Sequence, residues 1–411
     1  MKSESVDVLV IGAGPSGSVA AAIVHKNGLK VKIVEKSKFP RFVIGESLLP
    51  RCMEHFQEAG LIEAIEKGDF QKKLGAKFMM HDKICEFDFS EQYTNGWKWT
   101  WQVPRADFDK VLADAVEAQG VEIDYETGVT EIQFEGSDST TIVENNAGEK
   151  KQIKAKFIID CSGYGRVIPR LLELDVPSNF PPRSSMFTHV VDTRRPTGID
   201  KDRIIVIAQS KDVWIWIIPF SNGNTSLGFV GNKEFFDGFE GEGKQKFRDI
   251  IATEEKLTER FEGVEMVFDP RIITGYAIGV KQLYGDGYAL TGNSAEFLDP
   301  VFSSGVTFAT ESGALSAKLI SRQLKGEEVN WEIEYTKYIM EGVDTFRSYV
   351  KAWYEGTFQK IIFAPNVDPS NKNKICSVLA GYVWDKTNPY VSKHDRILTT
   401  LGKVIDLEAT V

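Results

Sequence analysis

The first 35 residues contain the pattern that most constrains the fold of this chain. An apolar run, VDVLVIG, leads into glycines at positions 12, 14 and 17, then a helix of small residues and a second apolar run that ends at Glu35. This order predicts a βαβ dinucleotide-binding unit. Gly12 permits the tight turn, Gly14 lets backbone amides approach a pyrophosphate, and Gly17 lets the helix pack closely against the strand. Glu35 is expected to accept hydrogen bonds from ribose hydroxyls.

Composition and charge exclude several other classes of protein. The net charge of -10 argues against a nucleic-acid partner. No apolar stretch reaches the roughly eighteen residues that a transmembrane helix requires. The N-terminus has no signal-peptide pattern, and the four cysteines form no CxxC pair, which suits a reducing compartment. We therefore expect a cytoplasmic protein without a structural metal site. The histidines at positions 25, 55, 81, 189 and 394 form no ligand pattern and are interpreted as structural or exposed.

The rest of the chain predicts a mixed α/β (α+β) architecture. A helix with an apolar face begins near Arg105, a strand ends before Gly163, and residues 184–230 have the composition of an antiparallel sheet. The tail is expected to be helical. The predicted organisation is a discontinuous Rossmann-like FAD-binding domain (1–74, 103–180 and 275–330), an inserted antiparallel substrate-binding sheet (75–102 and 181–274) and a C-terminal helical region (331–411).

The stretch VWIWIIP places two tryptophans one residue apart. In a strand, alternation directs Trp214 and Trp216 to one face and Ile215 and Ile217 to the other, and Pro219 ends the run. One interpretation is a buried strand that contributes aromatic core. The other is that the two indoles form a wall that separates two sites.

Several motifs together resemble one family. They are PRFVIGESLLP (40–50), the RxxFDxxL helix from Arg105, the DxSG strand end at Asp160, WxWxIP from Trp214 and FLDPVFSSG (297–305). The chain resembles the flavin-dependent halogenases, which are part of the larger superfamily of FAD enzymes similar to aromatic hydroxylases. It is closer to the phenol and pyrrole types than to the tryptophan type. Only WxWxIP is nearly diagnostic, since the other motifs also occur in monooxygenases and prenyl reductases.

This resemblance implies FAD as the cofactor. The implied cofactor-binding residues are Gly12, Gly14, Pro15, Ser16, Gly17, Glu35, Lys36, Arg41, Glu46, Ser47, Arg105, Gly163, Asn293, Gly305 and Val306. A helix beginning near Ser303 would direct its amides and positive dipole end at the flavin and a small anion, with Ser304 and Gly305 as the halide site. Many relatives have Gly-Asp where this chain has Gly292-Asn293.

The resemblance also implies catalytic residues. Trp214 and Trp216 would separate the flavin from the substrate, and Lys73 would bind hypohalous acid and deliver it to the ring. The alternative for Lys73 is a solvated basic cluster between Lys67 and Lys77, with Lys72 as the nearest other candidate. Ser303 is a further catalytic candidate whose alternative role is a helix N-cap. Phe302 stands where tryptophan halogenases have a glutamate.

The implied reaction uses reduced flavin, oxygen and halide to halogenate a phenol-like or pyrrole-like ring. The implied partners are a small aromatic substrate, free or tethered to a carrier protein, and a separate flavin reductase. Two alternatives stay open from the sequence. The first is a monooxygenase, dehydrogenase or prenyl-type reductase of the same fold, and the second is a non-catalytic, redox-sensing flavoprotein.

Overall fold

The computed structural model describes residues 2–178, 180–365 and 368–408 in two large sheets and a set of helices. The helices are α1 (Pro15–Lys26), α2 (Arg51–Glu58), α3 (Ile62–Lys67), α4 (Arg105–Ala118), α5 (Val167–Leu171), α6 (Lys233–Asp237), α7 (Gly243–Ile251), α8 (Glu255–Phe261), α9 (Gly305–Leu324), α10 (Tyr338–Glu355), α11 (Thr357–Ile362), α12 (Pro369–Leu379), α13 (Pro389–Ser392) and α14 (His394–Glu408). Within these ranges, no helix is both long enough and apolar enough to cross a membrane.

The strands outnumber the helices and include several short pairs. They are β1 (Lys2–Ile11), β2 (Val31–Val34), β3 (Gln71–Lys73), β4 (Gly75–Met80), β5 (Lys83–Asp88), β6 (Thr100–Gln102), β7 (Glu122–Asp124), β8 (Thr127–Glu135), β9 (Asp138–Asn145), β10 (Lys150–Asp160), β11 (Asp175–Pro177), β12 (Ser184–Val191), β13 (Arg203–Ala208), β14 (Trp214–Pro219), β15 (Asn224–Gly231), β16 (Arg271–Thr274), β17 (Ile278–Val280), β18 (Tyr284–Gly285) and β19 (Tyr288–Leu290). The predicted mixed α/β class is confirmed.

The first sheet has the order β18-β19-β10-β1-β2-β7, with β8 and β9 attached through β10. Its central strands are parallel, and the C-terminal halves of β1 and β10 are largely apolar and buried, as expected for a sheet covered on both faces. Ile11 is in register with Val34 on one side and with Asp160 on the other, and Asp160 is in register with Leu290. Four strands from three distant parts of the chain therefore end at the same level.

The glycines of the first loop act as the sequence predicts. Gly12 has a φ of +99°, which an L-residue rarely adopts. A Cβ on Gly17 would lie 1.9 Å from the Gly12 carbonyl oxygen, so α1 contacts the end of β1 without a side chain between them. On its other side α1 meets α9, where a Cβ on Gly313 would lie 2.7 Å from the Ser16 carbonyl oxygen. These contacts fix the direction of α1 relative to the sheet.

The second sheet has the order β16-β12-β15-β14-β13-β4-β5. Most neighbours are antiparallel, but β4 and β13 pair in parallel, with Arg203 in register with Gly75. The strands between residues 184 and 230 pair antiparallel, as the sequence predicts, and the parallel pair of β4 with β13 makes the whole sheet mixed. The parallel pair is possible because a long segment of chain separates the two strands and carries the return connection. All seven strands lie between residues 75 and 88 or between 184 and 274, within the two ranges predicted for the substrate-binding sheet. The division of the chain into domains stays a prediction.

The second sheet separates two hydrophobic cores. Trp214 and Trp216 of β14 face the main core, which includes the first sheet, while Ile215 and Ile217 face a smaller core. The smaller core is closed by apolar residues of α7 and α8, among them Phe247 and Leu257. The predicted alternation along WIWIIP is confirmed.

The C-terminal region is helical and is attached to the rest of the molecule by a buried carboxylate. Glu311 of α9 receives two hydrogen bonds from Arg51 (2.8 and 3.0 Å) and one from the Tyr338 hydroxyl of α10 (2.9 Å). His55 Nε2 lies 3.1 Å from the same carboxylate. Burial alone would raise the pKa of Glu311, but the charges of His55 and Arg51 outweigh burial and hold it well below its usual range.

Glu311→Gln should therefore destabilise the protein. Removing one partner of a buried ion pair leaves the other charge uncompensated, at a cost of about 3–5 kcal/mol. Because the folded-state pKa is lowered, the stabilisation is present above the ordinary glutamate pKa of 4.5 and is lost as the pH falls below it. Urea unfolding at neutral pH and at lower pH measures both effects. The matched control is Glu327→Gln, an exposed carboxylate paired with Arg322, which should cost less than about 1 kcal/mol. Equal effects of the two substitutions would show that the buried carboxylate of Glu311 adds no stability beyond that of an exposed ion pair.

Candidate functional site

A cavity of about 930 Å³ lies where the parallel strands of the first sheet end. The residues that directly follow β1, β2, β10 and β19 all line it: Gly12, Glu35, Cys161 and Thr291. The carboxyl ends of parallel strands are the usual place for ligands in such sheets. The four coincident strand ends therefore build one wall of this cavity, which we call the large cavity.

Most of the predicted cofactor-binding residues meet in the large cavity. Those that line it are Gly12, Gly14, Pro15, Ser16, Glu35, Lys36, Arg41, Glu46, Ser47, Arg105, Gly163, Asn293, Gly305 and Val306. Gly17 and Ser304 do not line it. Gly17 contributes through the close packing of α1 on β1, not as a lining residue.

One end of the large cavity is built around the start of α1. Gly14 is the N-cap in extended conformation, with no side-chain cap, so the first amides of the helix stay available. The Glu35 carboxylate accepts a hydrogen bond from the Ala13 amide (2.9 Å) and so holds the glycine loop in place. Arg41 and Arg105 both donate to buried Asp109, each at 2.8 Å. These contacts place two guanidinium groups beside the helix N-terminus.

The residues present fit FAD. A helix N-terminus beside two arginines suits a pyrophosphate, and the acid after β2 suits a ribose. Further along the lining, the Glu46 Oε2, Ser47 Oγ and Tyr276 hydroxyl atoms are buried without a hydrogen-bond partner among the residues that the structure describes. Buried polar atoms in native proteins are nearly always paired, so these groups are suited to a ligand with many donors and acceptors.

A second helix N-terminus reaches the large cavity at Gly305. Ser303 has a φ of +58°, and Ser304 is the N-cap of α9 without a side-chain cap bond. The first helical bond runs from the Phe308 amide to the Ser304 carbonyl (3.0 Å), so the amides before it are not used within the helix. The N-cap interpretation of Ser303 was wrong by one residue, because the left-handed turn places Ser303 outside the helix.

Arg166 positions the loop that carries Asn293. Its guanidinium donates to the Asn293 carbonyl (2.6 Å), to the Gly279 carbonyl (3.0 Å) and to Asp175. Arg166 is buried and has a φ of +47°. The sequence does not predict this role, because nothing in the local sequence indicates which distant carbonyls an arginine will bind.

Glu46 has a partner that the sequence analysis also missed. His189 Nε2 lies 2.6 Å from Glu46 Oε1, and the imidazole packs edge-on against Phe220 and Phe268. The interpretation of His189 as merely structural or exposed is thus incomplete, since it holds a carboxylate of the large cavity. Alternation along β12 predicts which face His189 takes, but not which residue it meets there.

The two tryptophans of β14 line the large cavity side by side. Their rings are 5.9 Å apart and inclined at 48°. Trp214 Nε1 donates to the Tyr354 hydroxyl and Trp216 Nε1 to Ser226 Oγ, each at 3.0 Å. A Cβ on Gly228 of the adjacent strand would lie 2.2 Å from the Trp216 ring, so only glycine allows that indole to lie against β15. Both indoles are fixed in orientation.

Lys73 is fully buried at the end of β3. Its ammonium nitrogen donates to the Leu48 carbonyl (2.8 Å), and burial lowers its pKa from 10.5 to about 7. Lys72 points the other way, over the Trp99 ring, and Lys77 pairs with Asp200 (2.8 Å). The alternative of a solvated basic cluster is therefore wrong for Lys73.

Lys73 lines a second, separate cavity of about 10 Å³, which we call the small cavity. Ser303 and Ile204 line both cavities, so the two adjoin there. Phe302 fills the far side, with Phe358 of α11 5.3 Å away and Trp353 of α10 6.0 Å away, ring to ring. A cavity needs about 10–15 Å³ to hold one water molecule, so the small cavity is too small for an aromatic ring beside Lys73 in this conformation.

Comparison with known proteins agrees with this geometry. The model of the FAD binding domain family matches residues 5–285. A flavoprotein/dehydrogenase from Cytophaga hutchinsonii is 58% identical and superposes with a TM-score of 0.97, covering 99% of this chain and 100% of its own. The 1H-pyrrole-2-carbonyl-(peptidyl-carrier protein) chlorinase of Pseudomonas fluorescens is 29% identical over 416 residues, or 93% of this chain and 91% of its own. The flavin-dependent brominase Bmp2, 24% identical, shares the fold (TM-score 0.85; 98% and 100% covered).

The fold, the large cavity and these relatives define an FAD-dependent oxidoreductase. The chain belongs to the FAD-binding domain family, and the flavin-dependent halogenases of that fold are among its relatives. The predicted family and cofactor are confirmed, whereas the roles of individual residues stay predictions.

Gly14→Val should abolish FAD binding while the protein stays folded. A Cβ at Gly14 meets nothing closer than Arg41 at 3.6 Å, so the branched side chain is tolerated by the protein but projects where the pyrophosphate is expected. Flavin absorbance after desalting measures binding, and circular dichroism measures folding. Gly17→Val is the contrasting variant, because its Cβ would overlap the Gly12 carbonyl and should unfold the domain. Normal FAD binding by Gly14→Val would show that the cofactor site is elsewhere.

Lys73→Met should remove a pH dependence of stability. The folded-state pKa of Lys73, about 7, is below the unfolded value of 10.5, so the unfolded state binds more protons between these values. Wild-type stability should therefore rise with pH in that window, by at most about 1.4 kcal/mol per pH unit. Urea midpoints of Lys73→Met should be higher than wild type at pH 7 and should lack this slope. Exposed Lys72→Met is the control, and an unchanged slope in Lys73→Met would refute the burial argument.

Proposed function

We propose that the protein halogenates an electron-rich aromatic ring, with Lys73 carrying the halogen to the substrate. The observation that supports this most strongly is the fully buried, weakly basic Lys73 in a cavity that adjoins the large cavity through Ser303 and Ile204. Bound FAD, when reduced, supplies the electrons with which oxygen and halide give hypohalous acid. The protein then has to hold the halide, retain the hypohalous acid and exclude the substrate from the flavin.

The proposed roles follow from where the residues lie. The cofactor-binding residues in the large cavity hold FAD, with Gly17 acting through packing. The free amides at the start of α9 hold the halide at Gly305, which lines the large cavity, and Ser304, which does not line it, contributes as the N-cap residue, since a helix N-terminus favours an anion. Trp214 and Trp216 form a wall that excludes an aromatic ring from the flavin. Ser303, at the junction of the cavities, hydrogen-bonds the hypohalous acid on its way to Lys73.

Lys73 is suited to this role because of its burial. A lysine with a pKa near 7 is partly neutral at neutral pH, and its amine can accept as well as donate a hydrogen bond or act as a nucleophile. No carboxylate lines the small cavity within the described residues, and Phe302 is in place of one. The lowered pKa of Lys73 is therefore due to desolvation by burial.

The relatives support an aromatic substrate and a protein partner. The chlorinase of Pseudomonas fluorescens and a brominase of Pseudoalteromonas luteoviolacea act on a pyrrole-2-carbonyl group attached to a peptidyl-carrier protein. We propose a pyrrole-like or phenol-like ring, with a carrier-tethered form as the first to test. We also propose a separate flavin reductase as electron source, and a cytoplasmic location.

A second candidate function is supported by another relative. The protein from Cytophaga hutchinsonii, described as a flavoprotein/dehydrogenase, is 58% identical to this chain. Dehydrogenation of a substrate against FAD would need no halide and no role for Lys73. The two functions therefore differ in whether product formation requires halide and whether it requires Lys73. The same two requirements distinguish halogenation from hydroxylation by a monooxygenase.

The test uses FAD-loaded enzyme, a flavin reductase and phenolic and pyrrolic substrates, with mass spectrometry of the products. Wild type should give products whose masses shift with chloride or bromide and should give none without halide. Lys73→Ala should bind FAD normally and lose at least about 90% of the halogenated product, whereas exposed Lys72→Ala should retain it. Product of equal yield from Lys73→Ala, or hydroxylated product in the absence of halide, would overturn the proposal.

A further inference from the structure

Tyr354, near the end of α10, connects the tryptophan wall to the loop before α9. Its hydroxyl accepts a hydrogen bond from Trp214 Nε1 (3.0 Å) and donates one to Asp299 Oδ2 (2.8 Å). The other oxygen of Asp299 accepts from the Val301 amide (3.0 Å). One hydroxyl therefore joins an indole of the large cavity to the turn that continues into Ser303 and Gly305.

The Tyr354 ring is itself fixed by an arginine. The Arg183 guanidinium lies 3.5 Å from the ring centroid, and it also donates to the Asp212 side chain (3.1 Å). Asp212 is two residues before Trp214, in the turn that enters β14. Tyr354 is thus connected to this strand in two ways. The face of its ring contacts Arg183, which binds Asp212 at the entry to β14, and its hydroxyl binds the indole of Trp214.

The two tryptophans differ in where their partners lie. Trp216 donates to Ser226 of β15, which is paired with β14 in the same sheet. Trp214 is the member of the pair whose partner is in the C-terminal helical region. Both indoles are buried, and a buried indole N–H without a hydrogen-bond partner carries a desolvation cost. Rotamers of Trp214 that break the hydrogen bond to Tyr354 carry this cost, so Tyr354 restricts the rotamers that Trp214 can adopt.

We propose that Tyr354 is a positioning residue for the reaction: it orients Trp214 and couples that indole, through Asp299, to the loop that presents the α9 amides. The C-terminal helical region thereby takes part in the site, although none of its described residues lines the large cavity. The functional half of this inference rests on the proposed halogenase activity, while the orientation of Trp214 can be measured without it.

The first experiment measures the indole directly. Protein labelled with ¹⁵N at its eight tryptophans gives indole N–H signals, of which Trp214→Phe and Trp216→Phe identify two. Tyr354→Phe should shift the Trp214 signal and speed its exchange with water about tenfold, as expected for one lost hydrogen bond. Ser226→Ala should shift the Trp216 signal. Tyr349→Phe is the matched control on the same helix, since its hydroxyl donates to the Tyr390 carbonyl, away from the wall.

The second experiment follows the fate of reduced FAD in the loaded enzyme. Tyr354→Phe should bind FAD with unchanged affinity and should at least halve the halogenated product formed per reduced FAD consumed. Tyr349→Phe should match wild type. Unchanged Trp214 exchange in Tyr354→Phe overturns the positioning role, and changed exchange with unchanged product yield overturns its functional consequence. If wild type makes no halogenated product, the proposed function fails, and the indole measurement still decides whether Tyr354 orients Trp214.

Discussion

The coincidence of four strand ends is the constraint on which the rest of the site depends. Val34, Ile11, Asp160 and Leu290 lie at one level because their strands pair in parallel and in register. A shift of register by one residue would turn every side chain of a strand to the opposite face and break its close packing there, which fixes the register. The loops that follow are thus brought together although they are up to 279 residues apart (290 minus 11). The large cavity is the space that these loops enclose.

Local patterns made part of this structure predictable. The glycine loop, the helix after it and the acid at position 35 lie within one short segment, and the steric demands of each glycine can be read from the segment alone. The alternation along β14 is equally local, which is why the common face of Trp214 and Trp216 could be predicted. The WxWxIP and FLDPVFSSG motifs placed Trp216 and Gly305 in one site because family resemblance carries tertiary information that periodicity does not.

Other features depend on contacts between distant residues. The sequence around Lys73 has three further lysines between positions 67 and 77 and resembles a solvated turn as much as a buried strand. Only the packing of Phe89 and Leu48, with Leu379 of α12 in the same small cavity, decides that this lysine is desolvated. Three other contacts also depend on how distant parts of the chain are brought together. They are the parallel pairing of β4 with β13, the hydrogen bond from Arg166 to the Asn293 carbonyl, and the contact of His189 with Glu46. The start of α9 was predicted one residue too early, because Ser303 adopts a left-handed conformation that the sequence did not indicate and Ser304 is the N-cap.

The small cavity beside Lys73 has an energetic consequence for any aromatic ring that would bind there. A ring can occupy that place only in molecules where Phe302, Phe358 and their neighbours have separated, so the observed affinity is the intrinsic affinity multiplied by the open fraction. An open fraction of about 1% would weaken binding about a hundredfold. Selectivity at such a site depends on the work of separating aromatic side chains as well as on contacts with the ligand. A partner that stabilised the open form would raise the affinity without touching the ring.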